Sequence, residues 1–365
     1  MGLNEMVIDR GSKIPLYKQI YNDINDRINK GEYALGSMLP SEKQLCEMYG
    51  VQRATVRKAL ALMVEEGKIT KLQGLGSSVT YPNETNGQND KKNLLFLIQR
   101  GMDNEDRIIE PFNAKLMATF DHECTKRGFS LLYKSFSLDD TADGLIKTCN
   151  PCGVFYTNSL PTEIYTGLLH RGIPVILVNF SHPFYPSVCL DNLGAGKMVV
   201  DYLCELGHRE IAFVGGRTET QVRLGRLNGY KEALEKHGIP LNPDWIIDCG
   251  WSIDEGRRAF RELCKKGKLP TAVFAANDSI GIGIIMEATS MGISVPDDIS
   301  VVGFDNINQS SYIKPSLTTV AVDYDLMARA ACMLMIDMID QNNLDLKVNV
   351  YVPVSLIERE STRHI

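Results

Sequence analysis

Residues 39–76 read LPSEKQLCEMYGVQRATVRKALALMVEEGKITKLQGLG, two short helices and a Gly-rich hairpin in succession. Pro40-Ser41 opens the first helix. Ser41 can cap it, and Gln44 three residues later completes a capping-box pattern. Gly50 stops that helix. The second runs from about Arg53 to Glu66, with Gly67 as the left-handed residue just past its end. Leu45 and Met48, then Val56, Leu60 and Met63, recur at helical spacing and give each helix an apolar face. Arg53 and Arg57 are four apart and share the N-terminal part of one face of the second helix. A DNA-reading helix needs donors there, because its first turns meet base edges and phosphates in the major groove. Ile69–Leu72 and Ser77–Thr80 flank Gln73-Gly74-Leu75-Gly76 as short strands, which makes a wing.

Working outward, Pro15 precedes Leu16, Ile20, Ile24 and Ile28, an apolar stripe on a helix that ends at Gly31. From Pro15 to Thr80 the chain resembles the gluconate-repressor (GntR) family of winged helix-turn-helix proteins. PLYKQI, LPSE, a V-x-R-x-T-V-R-x-A-L core, EEGKI and the G-x-G of the wing occur in the family's order. By position, the resemblance implies DNA contacts at Lys43, Arg53, Arg57 and Gly74, with Thr55 and Gln73 assisting. Gln52 stands where the family places a Ser or Thr cap, and Ser77-Ser78 replaces its Thr and aromatic residue in the wing.

A length of 365 residues, at about 150 per domain, predicts two or three domains. The net charge of −6 hides a split: residues 1–80 carry eleven Lys/Arg against nine Asp/Glu, and the acidic excess lies in the remainder. The basic surplus of the head is small, so one module alone should hold phosphates modestly and a dimer presenting two would compensate. No apolar run approaches the ~18 residues of a membrane span, and MGLNEMVIDR lacks a signal-peptide core. Nine scattered Cys suggest reduced thiols and a cytoplasmic protein. These readings predict a DNA-binding domain at 1–80, a linker at 81–92 (YPNETNGQNDKK, almost devoid of apolar residues) and a larger domain at 93–365.

The larger domain alternates. Apolar runs at 94–98, 153–156, 175–178, 211–214, 272–275 and 299–304 predict buried strands, and helical stretches lie between them. Short, uniformly apolar strands alternating with helices predict parallel α/β sheets, which bind ligands at the carboxyl ends of their strands. Thr318–Val322 and Tyr351–Val354 read as further strands around a long helix from Asp323 to Gln341, so the chain crosses between two lobes more than once.

Several motifs then occur in order: Leu190-Asp191-Asn192 with Gly194-Ala195-Gly196, Leu206-Gly207-His208-Arg209, Arg226-x-x-Gly229-Tyr230, Ala275-Ala276-Asn277-Asp278, Val295 through Asp305, and Pro315 through Val320. Together they resemble the effector domain of lactose/galactose-type (LacI/GalR) repressors, which is similar to periplasmic sugar-binding proteins. The fold class implied is α/β: an N-terminal winged helix-turn-helix plus a two-lobed parallel α/β periplasmic-binding-protein-like domain with three crossovers. The resemblance places effector contacts at Asn179, Arg226, Asp278 and Asp305, with Phe112 at the start of the first helix of the domain. The chemistry agrees. A sugar needs carboxylates, amides and guanidinium around its hydroxyls and an aromatic face for its C–H side, and Phe304 and Phe112 are available.

Other signals are weaker. Cys149-Asn150-Pro151-Cys152 has no second CxxC and reads as two thiols before a buried strand. There is no HExxH, no Walker A and no G-x-S-x-G. The expectation is therefore a regulator, not an enzyme, with no metal and no cofactor. It is a homodimeric repressor binding double-stranded operator DNA and released by a small sugar. This combination of head and body resembles arabinose-responsive repressors of Gram-positive bacteria, which implies arabinose as the first effector. Two alternatives stay open: a regulator that binds DNA only with a corepressor metabolite, and a sugar-modifying enzyme.

Overall fold

In the computed structural model, residues 8–12, 14–33, 37–65, 68–72, 76–79, 93–100, 107–137, 139–157, 161–216 and 220–365 are described. The chain divides into two compact units, Met1–Asp90 and Lys91–Ile365.

The first unit comprises α1 (Leu16–Asn29), α2 (Glu42–Tyr49), α3 (Arg53–Glu65), β1 (Ile69–Leu72) and β2 (Gly76–Val79). Ser41 and Gln44 form the reciprocal capping box that starts α2, and Gly50 ends it at φ 60°. β1 and β2 pair antiparallel, Ile69 opposite Val79 and Leu72 opposite Gly76. Gly67, Gln73, Gly74 and Thr80 lie outside the described residues. Ile20, Ile24, Leu45, Val56, Met63, Ile69 and Val79 meet in one core. Beside it, Asp23 accepts from the Tyr49 hydroxyl (2.6 Å) and Arg27 Nε (2.9 Å), so this buried carboxylate is paired twice and ties α1 to α2.

The second unit begins with β3 (Asn93–Gln99), α4 (Pro111–Lys126), β4 (Ser130–Phe136), α5 (Ala142–Cys149), β5 (Gly153–Thr157), α6 (Thr162–Leu169), β6 (Val175–Val178) and β7 (Ser187–Leu190). These build a first lobe. A second lobe follows: α7 (Asn192–Glu205), β8 (Ile211–Val214), α8 (Gln221–Lys236), β9 (Ile246–Ile247), α9 (Ile253–Lys265), β10 (Ala272–Ala275), α10 (Asp278–Ser290), β11 (Ser300–Asp305), α11 (Gln309–Tyr312) and β12 (Thr318–Val322). The chain then returns as α12 (Tyr324–Asp340), which packs on α4, and ends in β13 (Asn349–Val352) and β14 (Val354–Ile357).

The first lobe's sheet has the order β13-β7-β6-β5-β3-β4, every pair parallel. The second has the order β14-β12-β11-β10-β8-β9, parallel except for β14 against β12. The terminal strand expected at Tyr351–Val354 is thus two strands in two sheets. Pro353 divides them, because a proline cannot donate to a continuing ladder. β4, β7, β9, α5 and α11 were not anticipated.

Three crossovers join the lobes, at Asp191, Asp323 and Pro353, one residue each between flanking elements. Asp191 and Asp323 share a backbone conformation (φ −75°, ψ 78° and φ −83°, ψ 86°), and each caps the helix it opens. In the second lobe, a methyl group on Gly196 would collide with the Arg226 carbonyl, and one on Gly229 with the Leu193 carbonyl. The glycines of the two motifs therefore let α7 and α8 touch backbone to backbone, and this contact carries Arg226 to its place. No helix among the described residues is long and apolar enough to cross a membrane. All nine cysteines are free thiols.

Candidate functional site

The parallel strands of both lobes end at one cleft. Thr157 closes β5, Asn179 follows β6, Trp251 follows β9, Asn277 follows β10 and Asp305 closes β11. Arg107, Glu110, Phe112 and Asn113, around the start of α4, complete the first lobe's share, and Thr220, Val222 and Arg226 complete the second's. The cavity among these residues measures about 80 Å³.

Arg226 is 2% exposed. Its Nε donates to Asn192 Oδ1 (2.9 Å), a second nitrogen donates to the Ala276 carbonyl, and Asp305 Oδ1 lies 3.8 Å from a third. Its Cζ sits 3.4 Å from the centroid of the Phe304 ring. Phe304 is fully buried, so its aromatic face serves the guanidinium and does not line the cleft. Such a desolvated cation–π contact is worth up to about 2 kcal/mol. Burial lowers the Arg226 pKa to about 10, against the pull of Asp305.

Asp305 sits at φ 106° and Asn306 at φ 51°, two non-glycine residues in succession in strained left-handed backbone. No hydrogen bond from a described residue ends on the Asp305 carboxylate. Burial pushes its pKa up to about 8, with Arg226 opposing. Asn179, also left-handed at φ 59°, holds its Oδ1 buried and without a hydrogen-bond partner. A buried acceptor left unpaired costs about 1–3 kcal/mol, so the fold carries an open valence here.

Asp278 is placed differently. Its carboxylate accepts from the Thr319 hydroxyl (2.5 Å) and the Ile307 N–H (2.8 Å), and Asn277 lines the cleft in its stead. Burial lifts its pKa to about 7, and the Thr319 and Ile307 bonds pull it back. Phe112 lines the cleft as expected from its position on α4. Of the six residues expected to hold a ligand, the structure brings Phe112, Asn179, Arg226 and Asp305 to one cavity and sets Asp278 and Phe304 behind it. Trp251, Asn277, Thr157 and the Arg107–Glu110–Asn113 cluster were not anticipated. In that cluster Arg107 Nε meets Glu110 Oε1 at 2.9 Å, and Asn113 donates to Glu110 at 3.1 Å.

On the head, Arg53 and Arg57 stand exposed on α3, and the Nε of each lies 3.0 Å from Glu42 Oε2 on α2. One carboxylate thus aligns both guanidiniums. Lys43 is exposed on α2, and Thr55 is half-buried in the first turn of α3.

Helix pair, wing and two-lobed cleft together define a ligand-responsive DNA-binding regulator. The bacterial regulatory proteins of the gntR family match residues 16–79, and the periplasmic binding protein-like domain matches residues 200–362. The HTH-type transcriptional repressor PurR of Erwinia tasmaniensis is 30% identical over 267 residues, 69% of this chain and 76% of that protein. A LacI family transcriptional regulator from Enterococcus faecium, with bound ribose, is 26% identical over 75% of this chain and all of that one, with a TM-score of 0.67. A putative LacI regulator from Bacillus cereus subsp. cytotoxis is 25% identical over 75% of this chain and 99% of that one, at a TM-score of 0.68. The chain belongs to the LacI/GalR-type transcriptional repressors and carries a GntR-type winged helix-turn-helix as its head.

Proposed function

We propose that this repressor is controlled by a small, uncharged sugar in the cleft, which releases the heads from operator DNA. The observation that carries the reading is the buried, unpartnered Asn179 Oδ1 at a cavity that is also lined by Asp305 and edged by Phe112 and Trp251. The cations there are already matched, Arg226 by Asp305 and Arg107 by Glu110. A neutral ligand rich in hydroxyl donors completes this site, and its C–H face packs on the rings. The ribose bound to the Enterococcus faecium relative supports the same class, and arabinose is the first candidate from the pairing of head and body. Operator contacts fall to Lys43, Arg53, Thr55 and Arg57, with Gln73 and Gly74 in the wing. The protein acts in the cytoplasm as a homodimer, its residues 81–92 linking each head to its body.

Thermal unfolding against pentoses, hexoses and their phosphates tests this. A true effector at a hundred times its dissociation constant adds about 2.7 kcal/mol to the unit that binds it. A neutral pentose raising the midpoint, with a drop in operator affinity, is the expected result. A response to phosphorylated sugars alone, or tighter operator binding with the hit, overturns the ligand class or the sign.

A further inference from the structure

The strained Asp305–Asn306 pair is held from two sides. Within its own lobe, Ile307 N–H bonds Asp278, Asn306 N–H bonds Thr319 Oγ1 (3.4 Å), and Arg359 donates to the Asn306 side chain (2.6 Å). The other side is the first lobe. Lys115, on α4, donates its ammonium to the Asn306 carbonyl at 3.3 Å. Tyr324, the first residue of α12, donates its hydroxyl to the Asp305 carbonyl at 3.2 Å. The two donors are coupled, since the Lys115 ammonium lies 4.7 Å from the centroid of the Tyr324 ring. That ring in turn packs 5.6 Å from Phe112, which lines the cleft.

We propose that Lys115 and Tyr324 are positioning residues that grip the Asp305–Asn306 turn across the lobes and tie its left-handed conformation to lobe closure. The argument is geometric. Both gripped atoms are carbonyl oxygens of consecutive residues in the second lobe, and both grips come from helices packed on the first. When the lobes part, both donors leave together. The turn then keeps only its second-lobe contacts, the Arg226 ion pair and the β12 ladder among them, against the strain of two successive left-handed non-glycine residues. The carboxylate that awaits the ligand is thereby set when the lobes close and released when they open, and Phe112 reports occupancy back to Tyr324. The inference builds on the cleft as the ligand site but not on the identity of its ligand.

The test uses the full chain without ligand. Trp251 edges the cleft and senses opening through acrylamide quenching, measured in a Trp245→Phe background that removes the other tryptophan. Hydrogen exchange at residues 305–308 senses the turn. Lys115→Met should speed that exchange about tenfold, the loss of one charge-assisted bond, and raise Trp251 quenching. Tyr324→Phe should do the same, and Lys115→Arg should restore both. Faster exchange with unchanged quenching would reduce the grip to a local clamp and overturn the coupling. No change in either readout for both variants would overturn the proposal outright. Because no sugar is present, failure of the sugar reading leaves this result standing.

Discussion

Asn179 shows how one residue separates binding from stability. Its left-handed backbone suits only asparagine-like residues or glycine, and its side-chain oxygen bonds no described residue. Asn179→Gly should keep the backbone and lose the acceptor. Effector affinity in titration calorimetry should fall about tenfold, with the ligand-free thermal midpoint not lowered, because the acceptor removed was unpaired. Asp305 adds a pH signature. Its pKa is pushed up to about 8 by burial, and hydroxyl donors favour the ionised form. Effector affinity should therefore rise as pH increases through about 8, and a flat profile there would show that the ligand does not donate to Asp305. At this scale the sequence was partly legible. That Asp278 and Asp305 stand at the carboxyl ends of apolar strands was visible: Asp278 opens the helix after β10, and Asp305 closes β11. Which of Asn277 and Asp278 faces the cleft was not, because the choice depends on how the first turn of α10 meets Thr319 and Ile307. Trp251 escaped notice because the strand before it, β9, is two residues long.

Elements differ in how plainly they announce themselves. The capping box of α2 and the uniformly apolar β5, β6, β8 and β10 came through because both of their faces are buried, or because their ends carry their own chemistry. β4 lies at the edge of its sheet and buries only Leu131 and Phe136, so no continuous apolar run marks it. On the proposed reading, function at this scale divides between α3 and α8. Arg57→Ala should weaken operator binding by about 1–3 kcal/mol and leave sugar affinity unchanged, whereas Arg226→Ala should abolish sugar binding and spare operator affinity without ligand. A gel-shift series paired with calorimetry reads both. Stability has its own marker where α9 meets α10. Arg261 and Arg257 converge on Glu287 and hold its pKa down to about 2. A depressed carboxylate pKa stabilises the fold above its ordinary value of 4.5 and loses that contribution as pH falls toward 2. Glu287→Gln should therefore lower the melting midpoint near neutrality, and the gap from wild type should close as the medium is acidified.

For the whole molecule, the decisive fact is that three single-residue crossovers bind two sheets into one unit, while the head forms another. The lobes cannot part without turning Asp191, Asp323 and Pro353 together, so their motion has few degrees of freedom and suits a two-state switch. A ligand moves such a switch only by binding its two states unequally. If the state favoured by sugar is the one that holds operator poorly, the two affinities are linked by a single coupling free energy, and the linkage runs both ways. Saturating sugar should weaken operator binding by some factor, typically about 5- to 150-fold. Saturating operator DNA should weaken sugar binding by the same factor, measured on the same protein at the same salt. Equal factors would establish that the cleft and the recognition helix read one equilibrium. Sugar affinity indifferent to operator would mean that the head does not read the cleft, and that any sugar effect on repression arises elsewhere than in the closure of the lobes.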